Sequence, residues 1–342
     1  MYGIIIRRVN MNKEKKLIAL VIALVLIVGM SAGCASGGTV DIPPASYGDP
    51  TSDDTIFIDL SLEMVPLAAS PAVYSIPKTE ASGKETKSNN KAIIDYSNKA
   101  DGYIMVKFVN TSTKELRVLI KGPSGAQYQY TLKKNATYEV FPLSDGNGKY
   151  EVGVYEQVDG SKYATAISAT IDVKLTDEFA PFLRPNQYVN FTDKSAVVSK
   201  AAELVKGKTE LLDKISAVYS YVISNLTYDK QLAETVKSGY LPDVDAVMAK
   251  GKGICFDYAA VMTAMLRSQG IPTRLVVGYA SNVYHAWIDV YSAKDGWLNS
   301  AIYFDGKTWK LMDPTFASGG NQSSQIMQYI GDGKNYSAKF LY

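Results

Sequence analysis

A chain of 342 residues with a formal net charge of +2 has room for two domains of ~150 residues each. With 46% hydrophobic and 20% charged residues it is ordinary globular material, long enough to bury real cores. The near-neutral balance, without any basic run interleaved with aromatics, argues against nucleic acid as a partner.

The first element is an uncharged apolar run, Leu17 to Met30, preceded by MNKEKK and followed by SAGCASGG. A basic stretch, a short apolar core and small residues before a cut describe a secretory signal. Counting on to Ser36 gives about 20 uncharged residues, enough for a spanning helix, so an uncleaved anchor is the alternative. Met11 is a possible true start, because MYGIIIRRVN adds nothing to the signal. Cys34, directly after Ser-Ala-Gly, resembles the lipidated cysteine of the bacterial lipoprotein signal, although Ser31 stands where a Leu-like residue is usual. The resemblance implies a signal over 1–34 and a protein held by lipid at the outer face of the bacterial cell membrane. An uncleaved anchor or a secreted form are the other outcomes.

Cys255 then becomes the odd residue. Exported chains pair their cysteines, and this one has only two. If Cys34 carries lipid, no disulfide can form within the chain, and a lone thiol flags reactivity.

Residues 35–54, rich in Gly, Pro, Ser and Asp, read as a flexible tether. A β-sandwich domain is expected over 55–175. Thr55 to Leu62 suits a strand and Glu80 to Lys91 a polar loop. AIIDYS, GYIMVKFV, LRVLIK, AQYQYTL, TYEVF, KYEVGVYEQV and ATAISATIDVKL follow, separated by turn chemistries such as GPSG and SDGNG. The 24 tyrosines suit such pleated surfaces. The pattern predicts an antiparallel, immunoglobulin-like sandwich, serving as a spacer or as a binding module.

Residues 176–193, with prolines and aromatics, read as an interdomain link, and 194–342 as a second, α+β domain. A helix is expected from Lys194 to Val205. A longer one, capped by Thr209, carries an apolar stripe from Leu211 to Leu226. GKGICFDYAAVMTAMLRSQG is then a turn followed by an apolar helix opening at Cys255. Arg274 to Tyr279 and Tyr284 to Tyr291 read as strands, the second holding His285, the only histidine. A further strand stops at Asp313-Pro314.

A thiol at a helix N-terminus faces unsatisfied N–H groups and the positive end of the dipole, which stabilise its thiolate. Those N–H groups can also hold an oxyanion. An imidazole beside the thiol can take its proton and later deliver it to a leaving group, and a carboxylate can orient the ring. Asp289 lies ~13 Å along the strand from His285, too far to serve. Asp257 turns about 200° away from the sulfur and suits the first helical turn instead. Asp313, at the mouth of a neighbouring strand, is the best candidate. Each residue also has a structural reading: core packing for the cysteine, a core or surface position for the histidine, a turn for Asp-Pro.

Gly-x-Gly-x-Cys-x-Asp-Tyr-Ala, Gly-Ile-Pro-x-Arg-x-Val-x-Gly-Tyr, His-Ala-Trp-x-Asp-Val and Asp-Pro-Thr together resemble the transglutaminase-like superfamily, over roughly Ala217 to Phe316. The resemblance implies a papain-like α+β domain with Cys255 as nucleophile, His285 as base and Asp313 as orienting acid. Arg274 and Trp287 match architectural positions, and Tyr228 matches an upstream tyrosine that could supply an oxyanion contact. It implies a thiol enzyme acting on amide bonds of a peptide or protein, cell-wall peptide included: a peptidase or amidase, or alternatively a transglutaminase. A non-catalytic surface binding protein is the third reading. No metal and no cofactor is expected, because no acidic metal-binding run is present.

Overall fold

The computed structural model describes residues 74–160, 162–237, 239–280, 283–294, 296–298, 301–304, 309–311 and 336–342. The signal, Cys34, the tether and the Thr55 to Leu62 segment lie outside the described residues, and so does Asp313.

Eight antiparallel strands come first: β1 (Thr86–Ser88), β2 (Ala92–Asp95), β3 (Tyr103–Phe108), β4 (Leu116–Lys121), β5 (Gln127–Thr131), β6 (Glu139–Pro142), β7 (Gly148–Asp159) and β8 (Lys162–Val173). They form two four-stranded sheets, ordered β1-β2-β3-β6 and β5-β4-β7-β8. In β4 the alternation is plain: Leu116, Val118 and Ile120 are buried while Arg117, Leu119 and Lys121 are not. A period-two pattern gives a sheet one apolar face, and the two faces share one core through Ile94, Ile104 and Phe141 on one side and Val118, Ile120 and Val152 on the other. The segment expected to be a polar loop contains β1. Its three residues are exposed and pair with β2 through the backbone, as a short edge strand can without apolar residues.

Helices and a second sheet system follow: α1 (Ala196–Val205), α2 (Leu211–Asn225), β9 (Thr227–Tyr228), α3 (Lys230–Thr235), α4 (Val244–Lys250), β10 (Lys252–Gly253), α5 (Cys255–Arg267), β11 (Thr273–Ala280), β12 (Val283–Ser292), β13 (Gly296–Leu298), β14 (Ala301–Phe304), β15 (Trp309–Leu311) and β16 (Tyr336–Leu341). Thr209 does not cap α2. Glu210 occupies the N-cap, with no side-chain hydrogen bond to the helix.

Helix α5 is the centre of this half. Every one of its residues except Phe256 is buried. Helices α1, α2 and α4 pack around it, and its remaining side lies on β11 and β12 of the antiparallel sheet β13-β12-β11-β16. A helix apolar all round has to be enclosed in this way.

The two halves are joined by packing. Phe340 and Tyr342, at the C-terminal strand, meet Tyr128 of β5 with ring centroids 5.4 and 5.6 Å apart. The Ser144 hydroxyl donates to the Leu341 carbonyl at 2.6 Å. β16 reaches this position by pairing closely with β11. A Cβ at Gly278 would collide with the Ser337 carbonyl oxygen and stand 2.8 Å from the Trp287 ring. Gly278→Val is therefore expected to loosen β16 and cost about 1–3 kcal/mol, as overpacking does, seen as a lower urea midpoint.

Candidate active site

Cys255 is the first residue of α5 and is 1% exposed. The preceding residue, Ile254, is extended and supplies no side-chain cap in the usual sense. The turn is held instead by Asp257, whose carboxylate accepts from the Ile254 N–H at 2.8 Å and from the Tyr240 hydroxyl at 2.8 Å. Asp257 therefore serves the first turn, as its angular position suggested. A helix N-terminus turns its first N–H groups and its positive dipole end toward the residue that opens it, and Cys255 stands there.

The two glycines before the cysteine have separate packing reasons. Gly251 ends α4 in the left-handed region at φ +62, with its N–H reaching back to Val247 and Met248. A Cβ on Gly253 would lie 2.6 Å from the Asp257 Cβ. These two packing reasons account for both glycines.

Burial, the largest influence, raises the Asp257 pKa, while the Ile254 N–H and Tyr240 act in the opposite direction. The folded state thus holds this proton longer than the unfolded chain. The protonated form's contribution to stability is lost as pH rises from the ordinary range near 3.9 through the raised folded value. Asp257→Asn is expected to flatten this slope. Measured upward from about pH 4, the wild-type melting temperature will fall relative to that of Asp257→Asn if the sign is right, and stay level with it or rise relative to it if it is not.

Tyr228 is brought to the same turn. β9 runs parallel to β10, with Tyr228 opposite Gly253, and the Asp229 N–H donates to the Gly253 carbonyl at 2.8 Å. Asp229 in turn caps α3 by accepting from Leu232 and sits 3.1 Å from the Lys252 ammonium. The tyrosine thus lies one strand away from the peptide leading into Cys255.

His285 lies near the start of β12, is 4% exposed, and pairs with Gly278. Strand alternation puts His285, Trp287 and Asp289 on one face with Arg274, Val276 and Gly278. Ala286, Ile288 and Val290 occupy the other face and join the core around α5. On the histidine face Trp287 lies nearly parallel to the imidazole, 23° between planes at 6.3 Å, and Tyr336 of β16 stands 6.5 Å from His285 and 5.1 Å from Trp287. Further along, the Arg274 guanidinium covers the Trp297 ring at 3.6 Å and Phe182 at 4.8 Å. Burial lowers its pKa, and Asp289 across the ladder opposes that. Arg274 and Trp287 accordingly pack the back of the sheet.

The joint between α5 and β11 shows how cysteine and histidine are related. The Arg267 Nε donates to the Thr273 carbonyl at 2.8 Å, tying the end of the helix to the start of the strand. From that joint the helix runs back ~18 Å to Cys255 at its usual rise. The strand runs ~17 Å to Gly278, the partner of His285, at its usual rise. Cys255 and Gly278 thus each lie far along their element from that joint, with His285 on the sheet face opposite the one that joins the α5 core.

Arg267 is the residue that sequence reading passed over. It is fully buried, and besides Thr273 it donates to the carbonyls of Arg184 at 2.7 Å and Tyr342 at 2.5 Å. Burial pulls its pKa down to about 9. In the sequence it looks like an ordinary cation in the last turn of a helix, where basic residues are common, so no signal marked it.

Residues 198–314 match the transglutaminase-like superfamily. The matched stretch starts earlier than the motifs did, taking in most of α1, and it contains Cys255, His285 and Asp313. The uncharacterized protein YebA of Bacillus subtilis (strain 168) is 28% identical over 185 residues, which is 47% of this chain and 25% of YebA. The matched part thus spans a quarter of that relative's length. Among solved structures, a candidate cysteine protease from Cytophaga hutchinsonii aligns over 67% of this chain and 78% of its own, at 15% identity and a TM-score of 0.32. The periplasmic domain of TgpA from Pseudomonas aeruginosa aligns over 72% and 79%, at 16% identity and a TM-score of 0.31. The match to the transglutaminase-like superfamily falls on the part built around α5, β11 and β12.

Proposed function

We propose that the protein is a thiol enzyme that attacks amide bonds of a peptide or protein substrate, and that it hydrolyses them. Cys255 is the nucleophile, His285 the base that takes its proton, and Asp313 the acid that orients the imidazole. The sulfur adds to the carbonyl, the amine leaves with the proton held by His285, and water then cleaves the thioester. The first-turn N–H groups of α5, with Tyr228 beside Gly253, would hold the oxyanion.

One observation supports this reading above the others: a buried cysteine opens the central helix, in a chain whose single histidine is likewise buried on the neighbouring sheet. Core packing alone would not call for a thiol at that helix end. The superfamily match over both residues supports it.

The test is product identity. Incubation with a mixed peptide library, followed by mass spectrometry, is expected to show new carboxylates and new N-termini that vanish in Cys255→Ala. Mass gained as isopeptide crosslinks to added amines would make the protein a transamidase instead. No product of either kind, from a protein whose thiol also ignores electrophiles, would leave surface binding as the function.

We place this activity outside the cytoplasm, at the membrane face, with Cys34 carrying the lipid. The signal-like run and the cysteine that follows it support that placement. No helix among the described residues is long and apolar enough to cross a membrane.

A further inference from the structure

Tyr188 lies in the stretch read from the sequence as a plain link, yet its ring touches both halves of the molecule. It stacks on Tyr130 of β5 at 5.5 Å with 25° between planes, and its hydroxyl donates to the Gln129 carbonyl at 3.0 Å. On the other side it meets Phe256 at 5.3 Å and the edge of Tyr342 at 4.6 Å. Phe256 directly follows Cys255 and is the one residue of α5 that is not buried.

From this placement we infer that Tyr188 is a positioning residue for the thiol site, clamping the first turn of α5 against the edge of the N-terminal sheet. The inference rests on Cys255 and His285 being the working pair. It makes the sheet β5-β4-β7-β8 part of the scaffold that sets their approach, rather than a free spacer. The physical reason is that Phe256, alone among the residues of α5, is only partly buried and packs at the rim of the core, and Tyr188 meets it there. An aromatic wedge with its hydroxyl fixed to a neighbouring strand supplies the missing constraint, since a ring has few torsions to freeze. Burial chiefly, and then Tyr284, push the phenol pKa upward, whereas Arg117 and Tyr342 act the other way. The hydroxyl therefore remains a donor through the range in which a thiol titrates.

The test uses the full chain in mild detergent. Iodoacetamide labelling of the Cys255 peptide is followed by mass spectrometry across pH, in wild type, Tyr188→Leu and Tyr188→Phe. Tyr150→Phe serves as the control. It loses the contacts of the Tyr150 hydroxyl with the Asp145 N–H and the Gly146 carbonyl, both within the N-terminal half. Tyr188→Leu is expected to move the thiolate midpoint upward by about one unit, a tenfold loss of labelling rate below the midpoint. Tyr188→Phe is expected to move it the same way by about twofold in rate, and Tyr150→Phe not at all. If the leucine variant does not fold, the phenylalanine variant decides. A profile unchanged in the variant that folds, or shifted equally by Tyr150→Phe, overturns the inference. A wild-type midpoint near the ordinary 8.5 sinks the enzyme reading and this inference with it. A lowered wild-type midpoint that survives Tyr188→Leu sinks the inference alone.

Discussion

Cys255→Ala is expected to bring amide turnover to the uncatalysed level, a loss on the order of 10⁴-fold or more. Alanine keeps the helix and removes only the sulfur, so the fold should be retained. The site is 1% exposed and closely packed, and deleting one small atom costs little beside the chemistry. His285→Ala should fall to a similar level, and the double variant should be no worse than either single one. Groups that act as a unit are not additive: once the nucleophile is gone, the base has no proton to move. Turnover of whichever peptide the library identifies is the readout. Two losses that multiply in the double variant would mean that cysteine and histidine act independently, and the triad mechanism would fall.

The second large effect is on stability. Arg267→Leu is expected to destabilise the protein by about 3–5 kcal/mol, enough to leave a large fraction unfolded at 37 °C. The guanidinium is fully buried and serves three backbone carbonyls from three separate segments: Thr273 at the start of β11, Arg184 in the connection between the halves, and Tyr342 after β16. Removing it strands the Thr273 and Arg184 carbonyls, at about 1–3 kcal/mol for each that water cannot reach, while Tyr342 keeps its bond from the Leu275 N–H. Leucine fills much of the volume but donates nothing. Lysine should recover only part of the loss, because a single ammonium cannot reach three diverging carbonyls as a planar fork does. Urea denaturation measures both variants. A shift below about 1 kcal/mol for Arg267→Leu would mean that water replaces the guanidinium and that this joint is not a fixed point of the fold.

How much of this could be read from the sequence follows from what kind of information each feature carries. The strands from β2 to β8 were legible because period-two alternation is local, and turn residues such as those of GPSG and SDGNG punctuate it. Cys255, His285 and Tyr228 were legible as candidates because residue type and motif order are local too. β1 was missed, since an exposed edge strand has no apolar period, and the absent Thr209 cap was a one-residue error at a helix end, where signals are weakest. Arg267, Tyr188 and the joining of the halves through Tyr342 could not be read. Each depends on residues far apart in sequence, such as the 75 positions between Arg267 and Tyr342, and side-chain type does not encode that distance. The glycines before Cys255 were noticed, but their reasons, a left-handed helix end and room for Asp257, needed coordinates.

The alternation that sets His285 on the Trp287 face makes the cysteine–histidine dyad the claim most open to test. The measurement is the rate of Cys255 alkylation against pH, with and without His285→Ala. An assembled dyad predicts a thiolate appearing well below the ordinary thiol value of about 8.5, and a midpoint that moves when the imidazole is removed. A midpoint at the ordinary value, or one that His285→Ala leaves in place, would contradict it, and the thiol would then be packing in the end of a helix.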